Sequence, residues 1–81
     1  MENFANESQM PLHILQEQSQ WHAIRVMRDA RLHSTDWLVV KYQEVEGAVP
    51  ESLRVYRQAL RDLPQTYSVP EDVVWPEKPE L

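Results

Sequence analysis

The sequence predicts a mainly α protein: a small bundle of about three helices, a disordered N-terminus before it and an extended, proline-rich C-terminal tail after it. Three observations carry that prediction. Apolar residues recur at helical spacing in separate stretches of the chain. A single glycine, and no Asn-Gly, leaves little for the tight turns of β-hairpins. The last seventeen residues hold three prolines and show no helical period.

Taken in order, Met1 to Met10 is polar around a lone Phe4 and lacks any period, which predicts disorder. Leu12, Ile14 and Leu15 form an apolar patch around His13 that is too brief to separate strand from helix. Residues 1–15 are therefore expected to be a flexible segment, 16–64 a helical domain and 65–81 the extended tail. A first helix is expected from about Gln16 to His33, with Ala23, Val26, Met27 and Ala30 on one stripe and Trp21, Ile24 and Leu32 widening it. Ser34-Thr35-Asp36 supplies three good N-cap residues, so Asp36 is expected to cap a second helix from Trp37 to Glu46. A strand competes there, because Leu38-Val39-Val40 and Tyr42 have β-propensity. Gly47 stands where a left-handed C-terminal cap is wanted and tips the reading to helix.

Pro50 opens the third helix, its fixed φ suiting a helix start, and Glu51 complements the positive end of the dipole. Leu53, Tyr56, Leu60 and Leu63 give the cleanest amphipathic pattern in the chain, and Pro64 is expected to stop it. Those four residues, with Trp21 and Trp37, form the expected core. In the tail, Val73, Val74 and Trp75 are apolar anchors that either fold back onto the helices or meet a partner.

Composition narrows the function. Thirteen acidic residues against eight basic ones give a net charge of −5, which argues against a nucleic-acid partner. The absence of cysteine excludes disulfides and thiolate metal sites and suits a reducing cytoplasm. No apolar run approaches the roughly 18 residues of a membrane span, and Met1 to Ser8, with Glu2 and Glu7 and no basic residue, does not read as a signal peptide. One glycine cannot build a phosphate-cradling loop. On a common helix, His22 and His33 stand about 16 Å apart, too far to share an ion. His33, Ser34 and Asp36 are neighbours at an expected helix junction and point in divergent directions, so they make no hydrolytic triad. Neither catalytic, cofactor-binding nor metal-binding residues are expected, and the chain reads as a protein that binds other proteins rather than as an enzyme.

A chain this short buries only about 60% of its unfolded surface, so a partner or a second copy of itself would supply missing burial. Arg54, Arg57 and Arg61 form a basic stripe on the third helix. It is either a solvated face with local ion pairs such as Glu51 with Arg54 or a docking stripe for an acidic partner. A third reading, helix-turn-helix entry into a DNA groove, conflicts with the net acidity. Trp75 joins the arginines as a candidate contact, since tryptophan often dominates interface energetics.

With these residues laid out, the stretch from Trp21 to Pro79 resembles the small tail assembly chaperones of tailed bacteriophages and prophages. The markers are Trp21, Arg25, Arg28 and Leu32 leading into Thr35-Asp36-Trp37, then the run from Tyr56 to Pro64 (YRQALRDLP), then Val73-Val74-Trp75-Pro76-Glu77-Lys78-Pro79. The resemblance implies a short helical chain that acts in virion assembly, in the bacterial host cytoplasm, without being a catalyst. Its implied partner is a tail protein, tape-measure-like or a fibre component, because the same ending also occurs in tail fibre assembly proteins. A structural, fibre-associated module is the first rival and a small DNA-binding regulator the second. The chain departs from many such proteins in having a helical pattern over Leu38 to Glu46 instead of a loop, and Leu53 in a region where they carry tryptophan. Residues 1–20 match no part of the pattern.

Overall fold

The computed structural model describes residues 10–81; the disorder expected before Met10 lies outside the described residues. Two α-helices are present among the described residues instead of three. Helix α1 spans Leu12–Val45, helix α2 spans Glu51–Thr66, and a 3-10 turn follows at Pro70–Asp72. Residues 12–15, expected to be flexible, are the first turn of α1.

The first two expected helices are one because nothing breaks them. No glycine or proline occurs between Pro11 and Gly47, and the supposed capping residues bond inside the helix. The Ser34 hydroxyl donates to the Arg31 carbonyl at 2.7 Å, and the Thr35 hydroxyl to the Leu32 carbonyl at 3.0 Å. Such back-bonding satisfies a hydroxyl without opening the ladder. Asp36 is therefore a mid-helix residue and caps nothing, which corrects the expected N-cap.

Both helices start on a proline, whose carbonyl accepts the first helical bonds. Pro11 takes Ile14 and Leu15 at 3.1 and 3.2 Å; Pro50 takes Leu53 and Arg54, both at 3.1 Å. Glu46 donates to the Tyr42 carbonyl at the end of α1, and Gly47 follows with φ of +76°. That left-handed conformation disfavours a Cβ, although a methyl group there would meet no neighbour within 4 Å. The expected effect of Gly47→Ala is a loss of about 1 kcal/mol, all of it backbone strain, read as a lower thermal midpoint by circular dichroism. Pro64 does not stop α2 but sits inside its last turn. Its missing N–H removes one bond, to the Leu60 carbonyl, a loss confined to the last turn, and the Thr66 hydroxyl donates to the Asp62 carbonyl at 3.0 Å. Extended backbone at Tyr67 ends the helix.

The core lies where α2 crosses the C-terminal half of α1. Leu53, Tyr56, Leu60 and Leu63 are buried as their spacing predicts, and Leu38 joins them from α1. Leu32, Val39, Tyr42, Val49 and Trp75 pack around that cluster. The tail supplies the other flank. Pro70 is buried next to Ala23 and Ile24, the Tyr67 hydroxyl donates to the Val74 carbonyl at 3.4 Å, and Pro79 and Leu81 run beside Leu38 and Tyr42. From Val73 on, the described residues carry no regular secondary structure. The described molecule measures 57 × 26 × 15 Å. Its length comes from α1, whose 34 residues extend about 51 Å at helical rise.

Candidate partner-binding surface

The three sequence runs behind the family resemblance meet in space. Thr35 and Asp36 of α1 face Arg57 of α2, and Arg31 of α1 faces Trp75 of the tail. Thr35 is wholly buried, an unusual place for a hydroxyl unless it is paired. It is paired twice: it donates to the Leu32 carbonyl and accepts from Arg57 Nη1 at 2.6 Å. The same Nη1 donates to the Leu32 carbonyl at 2.8 Å, and Nη2 reaches Asp36 Oδ1 at 3.0 Å. With its side chain only 17% exposed, Arg57 is a clamp between helices. A guanidinium suits this task because its planar fork presents several donors at fixed angles.

Trp75 is half-buried against the core cluster, with the Arg31 guanidinium 4.1 Å from its ring centroid. A cation over an indole face is attracted by the ring quadrupole, so this contact pins the tail to α1. Arg57 and Trp75, both expected at a partner contact, are thus engaged inside the fold.

Trp37 is displaced in the opposite sense. Expected in the core, it is 61% exposed, with Lys41 Nζ 5.9 Å from its ring. Unbroken α1 explains this. Each residue advances about 100° around a helix, so the packing of Leu32, Thr35, Leu38 and Tyr42 towards α2 fixes the phase and turns Trp37 away. Trp21 is half-buried, with the Arg25 guanidinium 5.9 Å from its ring.

Arg54 and Arg61 remain on the surface. Arg54 pairs with Glu51 at 2.6 Å, as its local spacing suggests, and Arg61 donates to the Gln58 side chain at 2.8 Å. Both line a groove of about 550 Å³ between α2, the end of α1 and the connecting loop. Val39, Val49 and Val55 give it apolar floor. The loop contribution of Ala48 and Val49 was not among the expected site residues, where Gly47 stood only as a helix cap.

Among the described residues, no group of three His, Asp or Glu side chains is placed to hold a metal ion, and no helix is long and apolar enough to cross a membrane. His33 Nδ1 lies 3.4 Å from Asp36 Oδ2, while the Ser34 hydroxyl is committed to the Arg31 carbonyl.

Residues 21–80 match the family described as phage tail assembly chaperone protein. No curated protein and no solved structure matches the chain.

Proposed function

The chain belongs to the phage tail assembly chaperone family, and from that premise we propose that it binds an elongated tail component before assembly and shields its apolar surface in the host cytoplasm. The role is non-catalytic. An unassembled tape-measure-like helix presents an apolar stripe that promotes aggregation, and a small helical protein can cover it. The observation that supports the docking site is the groove in which valines line the floor and Arg54 and Arg61 stand at the edge. That chemistry suits an amphipathic segment with acidic flanks. Arg57 lines the same groove and, through its bonds to Leu32 and Thr35, holds α1 and α2 at the spacing that forms it.

Co-expression with candidate tail proteins tests this. One of them is expected to become soluble only alongside this chain and to co-purify with it. Replacing Arg54 and Arg61 together by glutamate should weaken that complex at least tenfold while leaving the thermal midpoint within about 0.5 kcal/mol of wild type, as surface substitutions usually do. A tail protein that stays insoluble in every pairing removes the chaperone reading. Recovery of the chain in purified virions replaces it with the structural, fibre-associated role.

A further inference from the structure

Trp37 lies in a second depression, separate from the groove. It holds about 340 Å³ between the C-terminal half of α1 and the end of the tail. Trp37 and Tyr42 come from α1, Pro79 and Leu81 from the tail, and each element contributes one lysine, Lys41 and Lys78. Val39 and Gln43 of the groove stand two residues to either side of Lys41. At about 100° per residue they lie roughly 160° round the helix from it. The groove and this depression are therefore on nearly opposite sides of α1.

Its charge is out of keeping with the rest of the chain. Lys41 and Lys78 are the chain's two lysines, on a molecule of net charge −5, and both are exposed. The arginines are engaged elsewhere: Arg28, Arg54 and Arg57 in ion pairs, Arg25 and Arg31 over tryptophan rings. Among the described residues no carboxylate pairs with either lysine, although Glu44, Glu77 and Glu80 are close in sequence. Lys41 Nζ lies 5.9 Å from the Trp37 ring and 5.5 Å from that of Tyr42, near the outer limit for attraction to an aromatic face. Two unpaired ammonium groups beside an open indole suit a ligand that is anionic and apolar at once.

We propose that this depression binds an acidic segment of a partner protein. An apolar side chain of that segment lodges between Trp37 and Pro79, and its flanking carboxylates meet Lys41 and Lys78. Tryptophan commonly supplies much of the energy of such a contact, and the exposed charges supply orientation and rate. A lipid surface also offers anions and accepts tryptophan. It fits less well, because an acidic chain with Glu44, Glu77 and Glu80 around the two lysines is repelled by an anionic leaflet. A depression walled by two elements also suits a side chain better than a plane. Half of the wall is tail, so the site is complete only while Trp75 holds the tail on α1. The proposal does not depend on what the groove binds.

The test uses a tryptophan-free synthetic peptide in which a leucine is flanked by aspartates and glutamates, and a control peptide with lysine in place of each acid. In the 15N-labelled chain the three tryptophans each give one indole N–H signal, and Trp37→Phe identifies the Trp37 signal. The acidic peptide is expected to shift that signal in a saturable, salt-sensitive way, and the control peptide is not. Lys41→Gln combined with Lys78→Gln should weaken the titration about fivefold, the effect of two exposed ion pairs, with an unchanged thermal midpoint. Arg54→Glu combined with Arg61→Glu removes the groove as a competitor and should leave the Trp37 shift intact. An unmoved Trp37 signal, an equal response to both peptides, or a titration that the lysine replacements do not weaken overturns the proposal. So does a Trp37 signal that responds to phosphatidylglycerol vesicles and not to the peptide, which would assign the site to a lipid surface. Loss of the shift in the groove variant would place the peptide in the groove, refuting this site and keeping the chaperone reading. An intact Trp37 shift beside tail proteins that stay insoluble in every pairing would do the reverse.

Discussion

Leu60→Ala is expected to remove most of the stability of the fold. Leu60 is completely buried between Leu38, Leu53 and Tyr56, and truncating such a leucine costs about 2–5 kcal/mol through lost transfer energy and the cavity left behind. A domain of this size has a total stability of roughly 4–12 kcal/mol at typical per-residue values. The core has few other large side chains that could close over the gap, so the upper part of the range is expected. Urea unfolding followed by circular dichroism should show a much lower midpoint, with Leu53→Ala behaving alike. Val55→Ala is the control: it lies on the same helix but is exposed, and it should change stability by less than about 0.5 kcal/mol. A Leu60→Ala protein that melts like wild type would contradict this packing.

Arg57→Met should cost about 1.5–3 kcal/mol, the range for hydrogen bonds made by a charged group. Methionine keeps much of the stem volume but leaves the wholly buried Thr35 hydroxyl without its donor. The Asp36 arm contributes little of this, since that carboxylate is half-exposed and solvent-screened. Thr35→Val removes the same contact from the other side. The double variant should therefore lose clearly less than the sum of the two single losses. Arg57→Lys keeps the charge but not the fork, and should recover only part of the loss. This set of melts separates a clamp from a partner contact: a residue serving only the partner would leave them unmoved. Additivity of Thr35→Val and Arg57→Met would show that the two side chains act independently.

Much of the fold was legible from local spacing. Leu53, Tyr56, Leu60 and Leu63 announced the buried side of α2, and Gly47 announced the end of α1. Ser34-Thr35-Asp36 misled because the same oxygens that cap a helix can bond back into one, and local sequence does not say which. Treating Trp37 as the start of a new helix left its phase free; in a continuous helix the phase is inherited from Leu32 and Thr35. Ala23, Val26 and Ala30 share a stripe that reads as the buried side of a first helix, whereas all three are exposed.

The candidate site divides in the same way. The basic stripe on α2 reads as a unit in sequence, because three residues at helical spacing share a face. In the structure all three line the groove, but Arg57 donates inward to Thr35 and Leu32, while Arg54 and Arg61 donate only to exposed neighbours on α2. An offset of roughly 40–60° around the helix is enough to separate a structural cation from a surface one.

What the sequence determined alone was helical character, the identity of the α2 core and the family, all of which depend on patterns within short stretches. What only the tertiary structure decided was which side of α1 is buried, where Arg57 and Trp75 are spent, and that Trp37 is left exposed. Those outcomes depend on contacts between residues far apart in the chain, such as Arg57 with Leu32 and Trp75 with Arg31. An α-helix with two apolar sides offers both equally to its neighbours; packing of α2 and the tail settles the choice.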